Sequence, residues 1–202
     1  MQKAYDKHNV LSFPGGNTGV QMGGWFKKEI KTIADLDGLK MRIPGFAGEI
    51  MSKLGVLVTN LAPGEIYTAL ERGTIDAVEW VGPSMDIKMG FHKITPYYYT
   101  GWHEPGAETQ FLINKKVYAK LPEDLKEILI QAMRVSAYDM YIQNYHMSGI
   151  ALDSMLKEKP NIKILAFPSN VMTQTKKVNN ELRIKMAKKS SLLRSEEHTS
   201  EL

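Results

Sequence analysis

From residue 32 the chain alternates between runs with strand periodicity and runs with helical spacing. Thr32 precedes a single helical turn ending at Leu36 and can cap it. Residues 39–43 (Leu-Lys-Met-Arg-Ile) alternate apolar and polar positions, which predicts a strand that Pro44 and Gly45 end. Phe46, Ile50 and Leu54 fall on one helical face and Gly55 supplies the stop. Residues 56–61 predict a second strand. Residues 65–72 predict a helix with Ile66, Ala69 and Leu70 on one face and Gly73 as its stop, and residues 75–80 a third strand. Three strands and two helices within about forty residues make the pattern of a parallel α/β unit.

The second half continues in the same manner. Residues 97–99 (three tyrosines) and 110–114 predict strands, with Trp102, His103, Glu104, Pro105 and Gly106 as the loop between them. A helical stretch follows over 122–156, with Leu125, Ile128, Leu129, Ala132 and Met133 on one face. It is long for a globular helix, and Gly149 is the place where it could break. Residues 162–167 predict a strand, after which Ser169 caps a last helix over 171–188. Residues 1–26 read as loop-like and aromatic. Pro14-Gly15-Gly16 and Gly23-Gly24-Trp25 do not open a sheet, so the chain reads as entering in mid-domain, an internal piece of a longer protein. There is no internal repeat and no low-complexity segment.

Composition narrows the class. The chain has 202 residues, 43% hydrophobic and 24% charged, which fits a globular protein and argues against disorder. No apolar run of about eighteen residues exists to span a membrane. No basic, apolar, small-residue opening marks a signal peptide. Cysteine is absent, which removes disulfides, thiol catalysis and Cys-ligated zinc. The net charge of +4 is spread in pairs such as Lys27-Lys28 and Lys176-Lys177, solvated faces and not a nucleic-acid stripe. The last nine residues, 194–202, resemble the in-frame translation of a sequencing adapter and are set apart from the fold. Without their one cation and three acids the net charge moves from +4 to +6.

Candidate chemistry sits at strand ends. Arg42 closes the first strand as a fixed, planar cation suited to a carboxylate, and Glu79-Trp80 closes the third. Polar groups at two strand ends predict a small-molecule site at the carboxyl edge of a sheet. His103-Glu104 invites an acid–base or metal reading. With no His-Glu-x-x-His and with His92 outside any ligand spacing, a rigid hinge or pocket loop is the favoured reading. Glycines 15, 16, 19, 23 and 24 precede neither a Gly-Lys-Ser/Thr nor a fingerprint helix, so they read as turn chemistry. No nucleophile elbow or recognisable carboxylate pair supports catalysis.

Four motifs in order carry a family resemblance: Asn17-Thr18-Gly19-Val20-Gln21-Met22-Gly23-Gly24-Trp25-Phe26, Asp37-Gly38-Leu39-Lys40-Met41-Arg42-Ile43-Pro44-Gly45, the run from Gly73 through Glu79-Trp80 to Pro83, and Gly101-Trp102-His103-Glu104-Pro105-Gly106. Across residues 9–193 the chain resembles the solute-binding subunits of tripartite ATP-independent periplasmic (TRAP) transporters of the DctP type. Within them it is most similar to the branch that binds 2-oxo and 2-hydroxy acids such as pyruvate and lactate. The resemblance implies an α/β fold, a two-lobed clamshell of the periplasmic-binding-protein kind with a long helix spanning the lobes. It also implies that residues 1–193 lack the first part of one lobe and hold the second lobe and the returning part of the first. Arg42 would hold the ligand carboxylate. The Gln21 side chain, the Glu79 carboxylate and the Trp80 backbone carbonyl would hold a sodium or calcium ion that bridges to the ligand, all oxygen donors as a hard cation requires. These four residues form the expected binding site.

The resemblance further implies a binding protein and not an enzyme, periplasmic in location, with no organic cofactor. Its partners would be a small carboxylate and membrane permease subunits, with a homodimer among the assemblies it allows, and it would neither bind nucleic acid nor span the membrane. Two departures touch ligand identity: Ser84-Met85-Asp86 follows Gly82-Pro83 where an aromatic and an acid are expected, and Thr100 follows the tyrosines in place of proline. Two other readings stand beside this one: an α/β enzyme acting on a small 2-oxo acid, and a nonfunctional gene fragment with exposed apolar sheet faces.

Overall fold

The computed structural model describes residues 2–189, so the expectation for the tail at 194–202 lies outside the described residues. In chain order the elements are α1 (Gln2–Tyr5), β1 (Val10–Asn17), β2 (Met22–Phe26), β3 (Lys40–Arg42), α2 (Gly45–Lys53), β4 (Leu57–Thr59), α3 (Pro63–Glu71), β5 (Ala77–Val78), α4 (Pro83–Met89), β6 (Tyr97–Thr100), β7 (Glu108–Asn114), α5 (Lys115–Ala119), α6 (Glu123–Glu158), β8 (Lys163–Leu165) and α7 (Ser169–Ala187). They divide into two compact units. The first holds the described residues up to Met22, with Val81–Met89 and Glu104–Pro160. The second holds Gly23–Trp80, Gly90–His103 and the described residues from Asn161 on. The chain therefore passes between the units five times, after residues 22, 80, 89, 103 and 160.

In the first unit β1 pairs antiparallel with β7, Val10 opposite Asn114 and Asn17 opposite Glu108. The ladder slips between Pro14 and Gly16. A proline inside a strand is tolerated at such a bulge because no ladder donor is needed there. The expectation of a loop over 1–26 is thus corrected. Residues 10–17 and 22–26 are strands, and what hid them is the bulged proline and a second strand buried at all five positions, where alternation cannot appear.

The long helix is present as α6, 36 residues running through Gly149 without a break. Glu123 and Asp124 in its first turn and Lys157 in its last complement the helix dipole. The resemblance implies a helix spanning the lobes. All of α6 falls within the first unit, where Met133, Ser148, Ala151 and Met155 are buried on a face that β1 and α4 cover. The opposite face is open. Ile128, Val135 and Ile142, at seven-residue intervals, are 62%, 68% and 44% exposed, with Tyr138 and Tyr145 beside them.

The second unit is a six-stranded sheet in the order β4-β3-β5-β2-β6-β8. β3 lies parallel to both β4 and β5, β6 parallel to β8, and β2 antiparallel to β5. The strand–helix–strand–helix–strand expectation over the 39–80 region is met, with Gly55 and Gly73 following α2 and α3. The core joins Phe26, Leu36, Met41, Ile43, Met51, Ala77, Tyr99 and Phe167. Trp25 and Tyr98 stack with ring centroids 3.8 Å apart. Gly24 lies at φ 117°, and a Cβ there would come within 2.5 Å of the Val78 carbonyl oxygen. The glycine is required by close strand approach, not by a turn as its sequence context implied. At the start of α7, Pro168 takes the N-cap position and Ser169 is the first helical residue, so the expected serine cap is not formed.

Candidate functional site

Arg42 and Glu79 meet at the carboxyl ends of β3 and β5. The ladder between these strands continues past β5, where the Glu79 amide donates to the Arg42 carbonyl at 2.9 Å. In return Arg42 Nη1 donates to the Glu79 carbonyl at 2.8 Å. The same nitrogen lies 4.0 Å from Glu79 Oε2, with both side chains buried. The guanidinium carbon sits 5.0 Å over the Trp80 ring. Thus two parallel strands, set in register by Met41 opposite Ala77, deliver a cation and an anion to one sheet edge. Burial pulls the Arg42 guanidinium below its ordinary basicity, and the Glu79 carboxylate opposes that shift. Arg42 Nε is buried without a hydrogen-bond partner, a donor unused within the protein.

Arg42, Glu79 and Trp80 therefore stand together in the second unit, whereas Gln21 belongs to the first, buried beside Met22, whose amide donates to the Val81 carbonyl at 2.7 Å. His103, read from sequence as part of a hinge or pocket loop, places Nε2 3.9 Å from Glu79 Oε1. Trp102 beside it packs edge-on against Phe167 of the core. Only tertiary structure brings His103 to Glu79, so strand-end logic could not find it. Among the described residues no group of three or more histidines, cysteines or acids could by itself hold a metal. No helix among them is long and apolar enough to cross a membrane.

Residues 1–190 match the family described as bacterial extracellular solute-binding protein, family 7, or DctP. The chain belongs to this family. A relative from a Nostoc species, named a monocarboxylate 2-oxoacid-binding periplasmic protein, is 45% identical over 90% of this chain and 50% of its own length. A TRAP periplasmic solute-binding protein from Colwellia psychrerythraea, solved with calcium and pyruvate bound, superposes with a TM-score of 0.94. It is 58% identical over 96% of this chain and 60% of that one. A second, from Pseudoalteromonas atlantica with sodium and pyruvate bound, gives a TM-score of 0.91 at 57% identity over 96% and 59% of the two chains. The chain thus spans one half to three fifths of the length of these relatives. The arrangement, mixed α/β with a long helix, matches that of these solved TRAP solute-binding proteins.

Proposed function

We propose that the chain is the solute-binding part of a TRAP transporter, capturing a small 2-oxo or 2-hydroxy carboxylate together with a hard cation. The observation that carries this is the Arg42–Glu79 pair at the ends of β3 and β5. Arg42 takes the ligand carboxylate, using donors that include the unpartnered Nε. The Glu79 carboxylate, the Trp80 carbonyl and the Gln21 amide oxygen hold sodium or calcium. The residues fit such an ion in kind: all three donors are oxygens and one is an anion, a set suited to a hard cation and poor for a soft one. The cation supplies a positive centre to which a 2-oxo or 2-hydroxy carboxylate can chelate through two oxygens. The similarity to proteins solved with bound pyruvate and calcium or sodium supports this.

On this reading the protein binds without catalysis, works in the periplasm and passes its ligand to membrane permease subunits. Residues 1–193 are the second lobe and the returning part of the first. It also pairs with a second copy through the open face of α6. In an antiparallel pairing centred between Tyr138 and Asp139, Ile128 faces Gly149 and Ala132 faces Tyr145. Val135 then faces Ile142 at the middle of the seam, apolar against apolar, and the two outer pairs set a large side chain against a small one.

The deciding experiment is calorimetric titration of the metal-stripped chain with pyruvate, with and without added calcium. Binding should appear with calcium and vanish with a chelator, and Arg42→Ala should abolish it, because a desolvated carboxylate is then left without its partner. Affinity indifferent to cations would remove the roles of Gln21 and Glu79. Wild-type affinity in Arg42→Ala would remove that of Arg42, and turnover of pyruvate would favour an enzyme.

A further inference from the structure

Glu79 is 3% exposed, and each of its carboxylate oxygens faces a different group. Arg42 Nη1 lies 4.0 Å from Oε2 and His103 Nε2 lies 3.9 Å from Oε1. The torsion that turns a glutamate carboxylate is soft and broadly distributed, so something outside the side chain must fix the plane of this one. Arg42 is itself fixed, by its bond to the Glu79 carbonyl and by its place over Trp80. His103 is fixed as well. It follows β6, its side chain is 9% exposed, and its ring lies 4.9 Å from that of Trp102, which rests on Phe167. Two anchored groups thus flank opposite oxygens at 4.0 and 3.9 Å, an arrangement that favours one orientation of the carboxylate.

We infer that His103 is a positioning residue for the cation site: it orients the Glu79 carboxylate and does not itself take the ion or the ligand. The inference rests on the cation role proposed for Glu79. Carboxylates that ligate metals are held by such outer partners, and losing one weakens metal affinity by about 10- to 100-fold. Nothing in the spacing of His103 within its loop indicates this, because Glu79 reaches it only through the folded sheet.

The test titrates calcium into the metal-stripped chain and compares four variants, with urea unfolding as a check on folding. His103→Ala should weaken calcium binding by about 10- to 100-fold. His103→Gln, whose amide nitrogen stands near the place of Nε2, should stay within about threefold of wild type. His103→Asn, whose amide is shorter by one bond, should behave like His103→Ala. Rescue by glutamine and not by asparagine is a pattern that a merely structural role would not give, and it holds even if His103→Ala fails to fold. Wild-type affinity in His103→Ala, or equal loss in His103→Gln and His103→Asn, would overturn the inference. Glu79→Gln separates the two layers of argument. If it leaves calcium binding unchanged, the cation reading fails and takes His103 with it. If it removes binding while His103→Ala does not, only the role of His103 is refuted.

Discussion

Replacing Arg42 with methionine isolates what the buried ion contributes to the fold. The guanidinium donates to the Glu79 carbonyl at 2.8 Å, stands 4.0 Å from the Glu79 carboxylate and covers the Trp80 ring. A hydrogen bond from a charged donor contributes about 1.5–3 kcal/mol. The ring contact adds about 1 kcal/mol. Leaving a buried carboxylate without its cation costs about 3–5 kcal/mol. These figures overlap, since all describe the loss of one group, and His103 still faces the carboxylate. We therefore expect a loss near the lower bound, about 3 kcal/mol. Burial opposes the charged form of Arg42 while Glu79 favours it, so the pair as a whole stabilises far less than either member alone would indicate. Arg42→Met combined with Glu79→Gln should accordingly cost less than the two single changes together, with a coupling of about 1–3 kcal/mol. Urea unfolding read by tryptophan fluorescence is the assay. Trp25, Trp80 and Trp102 are the only tryptophans in the chain and all belong to the second unit, so the signal reports the unit that holds the pair. Strict additivity, or a loss under about 1 kcal/mol for Arg42→Met, would refute the reasoning.

Two further outcomes are expected. Burial holds the Tyr99 phenol above its usual 10.0, and its oxygen both accepts from the Ile30 amide at 2.7 Å and donates to the Ile30 carbonyl. Stability from this group is therefore complete below the unfolded value near 10.0 and is lost as pH rises through the higher folded value. Tyr99→Phe should cost about 1 kcal/mol at neutral pH and abolish that alkaline loss; identical alkaline unfolding profiles for the two proteins would count against it. On α6, Val135→Glu with Ile142→Glu should turn a sedimenting dimer into a monomer while leaving the circular dichroism unchanged, because both side chains are exposed in the single chain. A wild-type chain that sediments as a monomer at micromolar concentration would reject the proposed pairing.

The parts of the fold that were legible in the sequence are those where local pattern and tertiary role agree. β3, α2, β4, α3 and β5 follow one another with stops at Gly55 and Gly73; Met41, Ile50, Ile66, Leu70 and Ala77 are buried, whereas Leu57 and Val58 of β4 stay exposed. β1 and β2 were hidden because Pro14 sits at a bulge and because Gly24 serves close packing against Val78, two uses of turn residues that do not make turns. The short helices α4 and α5 carry too few turns to show a period. At the site, Arg42 and Glu79 announced themselves by standing at strand ends. His103 did not, because its contact with Glu79 joins residues that follow two separate strands, β5 and β6, and only the complete sheet brings them together.

The fivefold passage of the chain between its units sets the order in which the protein can be made. The second unit is not a continuous stretch. Its sheet closes on β8, which pairs with β6, and its helices close on α7, which packs on α2. The strands bearing Arg42 and Glu79 precede residues 161–187 in the chain and must wait, with one sheet edge and a helix-binding face uncovered, until those residues have joined them. The first unit faces the same delay for α6. Long-range closure of this kind slows folding and lengthens the exposure of unpaired edges, so a chaperone that shields β6 and α2 until β8 and α7 dock would act when the chain is most open to misassembly.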